Sequence, residues 1–350
     1  MTATYSLPAL TSGASRRDVQ GAVTDEDRTE LATLGRAADV FAGAYEPAAG
    51  LITEIAREDA SFAAVVAAHL SAGRALGTQR SGHDGGWRAY ASRTDRVQTS
   101  GQRSLGLVLN GRVPLSAGGT IADRLVLPRL TLPDAGPVVV WFDRGADGVH
   151  VEPSVAPFGL RAAGWGTAEL TNVWVPATQI TSVATGLAER NWPAFDELLH
   201  AAIDVGILAG FIDVARNFLL EFGRPWHESG VDSASADPHT IATFGQAYAC
   251  LHALQGLVAK AETAVGHDAF ARARLRPVAV ARGYAQLRVA QTINSIIATL
   301  GASSTSGRFG LDRQWRDFRA HSLLAPPRWQ IRDVTDSADA PQDPATGARP

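Results

Sequence analysis

Apolar residues recur every three or four positions along the first quarter of the chain. They alternate through its middle and return to the three-four spacing beyond residue 193. Thr24 opens the first helix signature, with Asp27 at capping-box distance and Leu31, Leu34, Ala38 and Phe41 as its stripe. Pro47 suits the first turn of a second helix. Its buried face would carry Leu51, Ile52, Ile55, Phe62, Val65, Val66, His69 and Leu70, and it fades over residues 73–77. Residues 78–102 have no apolar period and are predicted to form a long loop. Leu105, Leu107 and Leu109 then alternate as in a strand. Asn110-Gly111 predicts a tight hairpin turn, with Val113 and Leu115 on the far side. Further strands are predicted at residues 124–127, 138–142, 149–155 and 168–175. Long helices follow at 195–222, 240–264 and 268–300, the last weakened at Pro277.

The order is helices, strands, helices: a mixed α and β chain. The expected division is a flexible N-terminus (1–22), an N-terminal helical domain and loop (23–102), a middle β domain (103–186), a C-terminal helical bundle (187–332) and a disordered tail (333–350).

Composition narrows the function classes. The net charge of −3 favours neither nucleic acid nor an anionic membrane surface as partner. One cysteine, Cys250, excludes an intrachain disulfide framework, and its apolar helical setting predicts a buried, inert thiol. The sequence carries no secretory signal pattern, and no apolar run is expected to cross a bilayer without polar interruption. A cytoplasmic protein is the simplest expectation.

Several residues could carry chemistry. His69 shares the inward face of Val65 and Val66, where it is either a satisfied core histidine or a functional one. Ser116 lies in Pro114-Leu115-Ser116-Ala117-Gly118-Gly119, a strand end whose glycines suit either a ligand or a tight turn. Arg224-Pro225-Trp226-His227 follows a long helix and suits a phosphate, a stacked ring or an ordinary helix end. His321 is four residues past Asp317, a helical pairing distance. Arg313, Arg316 and Arg319 are spaced to clamp acids on neighbouring helices. No metal motif, dinucleotide fingerprint or Walker loop occurs, so a flavin here must be held without a glycine-rich Rossmann loop.

Taken in order, these stretches resemble the acyl-CoA dehydrogenase fold. More closely they are similar to its flavin-dependent monooxygenase branch, the dibenzothiophene monooxygenase-like proteins. The matching segments are Glu58-Asp59-Ala60-Ser61 through His69, Leu109-Asn110-Gly111-Arg112 through Gly118, and Phe158-Gly159-Leu160-Arg161 through Thr167. Asn172-Val173-Trp174-Val175-Pro176, Arg224-Pro225-Trp226, Asp237-Pro238 and Asp312-Arg313 through His321 complete the set. The resemblance implies an N-terminal helical domain, a β-barrel-like middle domain and a C-terminal bundle assembled as a dimer or tetramer.

It also implies reduced FMN, supplied by a separate flavin reductase, and oxygenation of a small heteroaromatic or pathway intermediate through a C4a-(hydro)peroxyflavin. FAD is the alternative cofactor. By motif, His69, Ser116 and His321 would surround the flavin, with Trp165, Arg224 and Trp226 as further contacts. Two departures stand out. Leu324 occupies the place of the family's second C-terminal histidine, with His83 as a substitute donor, and Trp165 replaces a small residue. Two other readings follow from the same fold. One is an acyl-CoA dehydrogenase-like FAD oxidoreductase, although no glutamate follows Glu262 and neither Glu197 nor Glu221 is placed as its base. The other is a repurposed non-redox enzyme or a non-catalytic partner subunit.

Overall fold

A computed structural model of the protein describes residues 10–24, 26–31, 45–77, 86–132, 136–155, 157–182, 192–266 and 275–324. Leu34, Ala38, Phe41, His83 and the tail 333–350 lie outside the described residues. Helix α1, Leu10–Gln20, occupies part of the segment expected to be flexible. Arg17 explains the difference. Its side chain is fully buried, its Nε donates to Asp59 Oδ2 at 2.8 Å, and its Nη1 donates to Asp27 Oδ1 at 3.0 Å. The guanidinium also lies 3.9 Å from the centre of the Phe62 ring. A polar-looking segment is therefore fixed by one buried cation.

The capping box between Thr24 and Asp27 forms as expected. Thr24 N donates to Asp27 Oδ2 at 2.8 Å, and Asp27 N donates to Thr24 Oγ1 at 3.3 Å. Burial would push the Asp27 carboxyl up, but the Thr24 bonds and Arg17 hold it below the usual carboxylate range.

The second predicted helix is two helices, α2 (Tyr45–Glu58) and α3 (Ala60–Leu76). Asp59 breaks it. Its backbone is extended, and its Oδ1 accepts from Ser61 N at 2.9 Å and Phe62 N at 3.1 Å, capping α3. Its other oxygen holds Arg17, so one carboxylate both starts α3 and anchors α1.

The middle of the chain forms two four-stranded sheets. The first has strands β1 (Arg88–Tyr90), β4 (Arg124–Leu132), β5 (Gly136–Asp143) and β8 (Ile180–Ser182), in that order. The second runs β2 (Gln98–Gln102), β3 (Gly106–Pro114), β7 (Gly166–Pro176), β6 (Val149–Pro153). Inward residues of both, among them Leu109, Val113, Leu125, Val138, Phe142, Leu170 and Val173, share one apolar core.

Two sequence expectations change here. The loop predicted at 78–102 contains β1 and β2. The turn expected at Asn110-Gly111 is a bulge inside the continuous strand β3, with the register against β7 shifting between Leu109 and Gly111. Asn110 and Asn172 bond each other reciprocally across that bulge, at 2.8 and 3.2 Å. Strand β3 instead forms its hairpin with β2.

The bundle comprises α4 (Trp192–Phe222), α5 (Pro238–Gly266), α6 (Leu275–Leu300) and α7 (Leu311–His321). Helix α4 is the central one. By length and composition it could cross a membrane, which the sequence reading did not anticipate, but 78% of its most apolar window is buried in the fold. Gly206 and Gly210 let it approach α2 closely, since a Cβ at either would overlap the carbonyl oxygen of Thr53 or Arg57. Helix α7 joins the three regions. Arg316 donates to both carboxylate oxygens of Asp18 on α1, Arg313 to the Glu58 carbonyl oxygen at 3.3 Å, and Asp317 accepts from Leu160 N at 2.7 Å. Of the three arginines expected to clamp neighbouring helices, Arg316 pairs with an acid on another element, whereas Arg319 reaches Ser322.

Replacing Arg17 strands Asp27 and Asp59 without their buried cation. Arg17→Met is expected to lower stability by about 3–5 kcal/mol, read from the urea midpoint. A loss within the error of the measurement contradicts the anchoring role.

Candidate functional site

The site begins at β1, an edge strand three residues long. Ala91 donates to Val126 on β4, so strand alternation turns the N–H groups of Arg88 and Tyr90 the other way. Side chains meet both. Arg88 N donates to His69 Nδ1 at 3.2 Å, and Tyr90 N donates to Ser116 Oγ at 3.0 Å. Ser116 N returns a bond to the Tyr90 carbonyl at 2.8 Å, and its hydroxyl donates to the Ala117 carbonyl at 3.2 Å. Two of the residues singled out from the sequence thus sit two positions apart on one strand edge. Their bonds also satisfy a buried sheet edge. Because Nδ1 of His69 accepts, that nitrogen carries no proton and the ring is neutral. The Trp87 ring stands edge-on to it, with centroids 4.6 Å apart.

The Tyr90 side chain carries the network into the bundle. Its hydroxyl lies 2.9 and 3.1 Å from the two oxygens of Asp196 on α4. Ser71 Oγ donates to Asp196 Oδ1 at 2.6 Å, and Trp192 Nε1 donates to Ser71 Oγ at 2.8 Å. Burial pushes both Asp196 and Tyr90 up, so Asp196 holds its proton to higher pH than a solvated aspartate and Tyr90 stays a neutral phenol. One turn further along α4, His200 Nε2 lies 3.9 Å from Asp196 Oδ2. His200 Nδ1 is 2.9 Å from His321 Nε2, and His321 Nδ1 is 2.7 Å from Asp204 Oδ1. Arg282 on α6 then binds Asp204, donates to Glu197 at 3.2 Å, and donates to the His200 carbonyl at 3.3 Å.

Electrostatics fixes the protons along this chain. Burial would raise Asp204, but the Arg282 guanidinium and His321 hold it below the usual carboxylate range. Asp204 therefore accepts. His321 Nδ1 must donate to it, which leaves His321 Nε2 bare to accept from His200 Nδ1–H. Burial lowers His321 to about 4, the neighbouring Asp204 charge notwithstanding. At neutral pH His321 is an uncharged, oriented imidazole.

The sequence pairing of His321 with Asp317 is corrected. Asp317 turns to Leu160 N and to Arg313, 3.6 Å away, while His321 turns into the bundle to Asp204. Helical spacing alone could not distinguish these directions.

Arg224 and Trp226 do not join the site within one chain. Roughly 33 Å of helix separates His200 from Phe222, and both residues lie beyond it in exposed positions, with Trp226 bonded to Glu228. Trp165 is half-buried and donates to the Leu160 carbonyl at 3.2 Å. It lines a separate 450 Å³ cleft with Gln20, Arg28, Thr120 and Arg161, and neither Ser116 nor His321 borders that cleft. Leu324 lies past the end of α7, 47% exposed.

Tyr90, Asp196, His200, Asp204 and Arg282 were not legible as site residues. The signal available was spacing: Asp196, His200 and Asp204 recur at four-residue intervals in the apolar first half of the helix.

Comparisons with known proteins agree with this architecture. Residues 198–326, the bundle carrying His200, Asp204, Arg282 and His321, match the family "Acyl-CoA dehydrogenase, C-terminal domain". A dibenzothiophene monooxygenase of Rhodococcus erythropolis is 26% identical over 263 residues, covering 68% of this chain. The match spans 62% of that relative, less than two thirds of its length. A second dibenzothiophene monooxygenase, from Mycolicibacterium goodii, is 23% identical and matches 91% of this chain and 88% of its own. Among solved structures, TdsC from Paenibacillus sp. A11-2, described in a complex with FMN and indole, superposes with a TM-score of 0.85 at 21% identity, over 94% of each chain. The expected helix–β–helix fold is thereby established as that of the acyl-CoA dehydrogenases, and in sequence the chain is similar to dibenzothiophene monooxygenases.

Proposed function

We propose that this chain is the oxygenase component of a two-component monooxygenase. It takes reduced FMN from a separate reductase and oxygenates a small heteroaromatic or similarly apolar substrate. The observation that carries this reading is the row of polar groups from Ser116 and Tyr90 to Asp196 and, across a 3.9 Å step, through His200 and His321 to Asp204. It joins the β domain to the bundle in a fold whose FMN-bound member, TdsC, is described with indole.

The donor set fits a reduced flavin. A reduced isoalloxazine is electron-rich and readily anionic, so uncharged hydrogen-bonding groups suit it and carboxylates repel it. Here His69 and His321 are neutral, Ser116 offers a hydroxyl, and burial keeps Asp196 more protonated than a solvated carboxylate. The half-buried Trp87 and Trp192, edge-on to His69 and Tyr90 respectively, supply flat apolar surface.

When bound, reduced flavin supplies two electrons to oxygen. One oxygen atom then goes to the substrate and the other leaves as water. The protein's part is to bind, orient and exclude water. Ser116 and His69, fixed on the β1 edge, would hold the ring. The aromatic side chains would shield it. His321, with one ring nitrogen on Asp204 and the other on His200, would act on the site through His200. If Arg224 and Trp226 contact the cofactor as the resemblance implies, they do so from a second copy of the chain, in a homo-oligomer. The single buried cysteine suits a reducing compartment, the cytoplasm.

One observation favours the acyl-CoA dehydrogenase-like FAD reading: Asp196 is a buried carboxylate with a raised pKa on an earlier helix, as a proton-abstracting base would be. Ser71 and Tyr90 bind it, however, and turn its oxygens toward protein groups.

Anaerobic titration with reduced FMN decides between the readings. Saturable binding is expected, followed by oxygenated product when oxygen is admitted with indole or dibenzothiophene present. Binding in neither redox state would remove the flavin reading and leave a non-redox or partner-subunit role. Tight oxidised FAD reducible by an acyl thioester would favour the dehydrogenase.

The neutral His321 gives a second expectation. Its folded pKa of about 4 lies below the ordinary 6.5, so between these values the unfolded chain binds a proton that the folded chain refuses. Its contribution is fully present above pH 6.5 and is lost as pH falls toward 4. Asp317, raised to about 7 by burial, acts oppositely, because its folded carboxyl keeps a proton that the unfolded one sheds. The wild type minus His321→Gln difference isolates the histidine. It should shrink on acidification by up to about 3 kcal/mol in urea unfolding. A pH-independent difference contradicts the assignment.

A further inference from the structure

The imidazole of His200 has no part in the resemblance that pointed to His69, Ser116 and His321. Its surroundings are asymmetric. On one side the chain is sealed: His321 and Asp204 are fully buried, and Arg282 closes the end. On the other it opens, with the side chains of Asp196 and His200 17% and 19% exposed. The open end adjoins Tyr90 and Ser116, the residues that tie the bundle to the β1 edge.

The sealed end sets the chemistry of the open end. Asp204 fixes the proton of His321 on Nδ1. His321 Nε2 then accepts from His200 Nδ1, so His200 keeps a proton there. Its Nε2 is left as the one ring nitrogen able to gain or lose a proton. When it gains one, the positive charge on His200 is shared through His321 toward Asp204. A carboxylate orienting an imidazole that activates its neighbour is familiar; here a second imidazole stands between the carboxylate and the working nitrogen. Asp196 is the group placed to exchange protons with it, and Ser71 and Tyr90 hold Asp196 in position.

Resting on the monooxygenase reading, we propose that His200 is the proton-handling residue of this site: its Nε2 delivers the proton that lets the second oxygen atom leave as water and recovers one through Asp196. His321, Asp204 and Arg282 are positioning residues that act through it. The charged and titratable groups facing His200 are Asp196, Glu197, His321, Asp204 and Arg282. Arg282 balances the fully buried Asp204, while Glu197, bonded to the same guanidinium, keeps 32% of its side chain exposed to solvent.

The discriminating variant is His200→Asn, whose side-chain amide can still donate to His321 but cannot transfer a proton. Two measurements are made on full-length protein. Long-range proton–nitrogen NMR of histidine-labelled protein reads the tautomers without any flavin. Stopped-flow absorbance follows re-oxidation of bound reduced FMN after mixing with oxygen in the presence of indole. In the wild type, His321 should carry its proton on Nδ1 with Nε2 bare, and re-oxidation should show a solvent deuterium effect. His200→Asn should keep the His321 tautomer and bind reduced FMN, yet re-oxidise about 100-fold more slowly and without the deuterium effect. Re-oxidation in His200→Asn indistinguishable from wild type overturns the proposal. So does a wild-type His321 protonated on Nε2, whether or not flavin binds. Failure of the wild type to bind reduced FMN, with the tautomers as described, removes the monooxygenase reading and confines the relay to a proton pathway of another reaction.

Discussion

Asp204 and Arg282 meet with both side chains closed off from water. Removing two charges from water costs several kcal/mol each, and their attraction repays it only if the remaining donors and acceptors are also met. That condition shapes this end of the bundle. Asp204 uses its second oxygen on His321, and Arg282 uses further N–H groups on Glu197 and the His200 carbonyl. Helices α4, α6 and α7 are thereby held in one register. Burial in the same cluster keeps His321 neutral, and Asp204 decides which of its nitrogens bears the proton. Structure and site electrostatics here have one source.

The rest of the scaffold repeats the device of one carboxylate serving two masters. Asp59 caps α3 and holds Arg17. Asp317 holds both the Leu160 backbone and Arg313. Asp196 joins Ser71 to Tyr90, and so the N-terminal helices to β1. Each lies at a junction between regions distant in sequence, where a polar contact fixes orientation that apolar packing leaves free.

This explains which parts were legible from the sequence. Local patterns carried far: the Thr24–Asp27 box, the strands around Val138 and Ala168, and the long helices all rest on neighbours within a few residues. The break at Asp59 had a local signal too, an N-cap residue inside an apolar stripe. What failed depended on partners far along the chain. Residues 10–20 looked loose because Asp59, which orders them, lies 42 residues from Arg17. Asn110-Gly111 has turn chemistry, but its neighbour across the sheet is Asn172, and a bulge satisfies both. His321 looked toward Asp317 by spacing and found Asp204, 117 residues away. The site divided the same way. His69, Ser116 and His321 were visible as motif positions, whereas Asp196, His200 and Asp204 were masked by the apolar run around them.

The central claim is that the β1 edge and the His200–His321 pair form two walls of one reduced-flavin site. A crystal structure of the protein grown anaerobically with reduced FMN tests this most directly. The isoalloxazine is expected within hydrogen-bond distance of Ser116, with its opposite side facing the opening at Asp196 and His200. Flavin seated instead in the cleft beside Trp165, with the β1 edge and His200 empty of ligand, would contradict it.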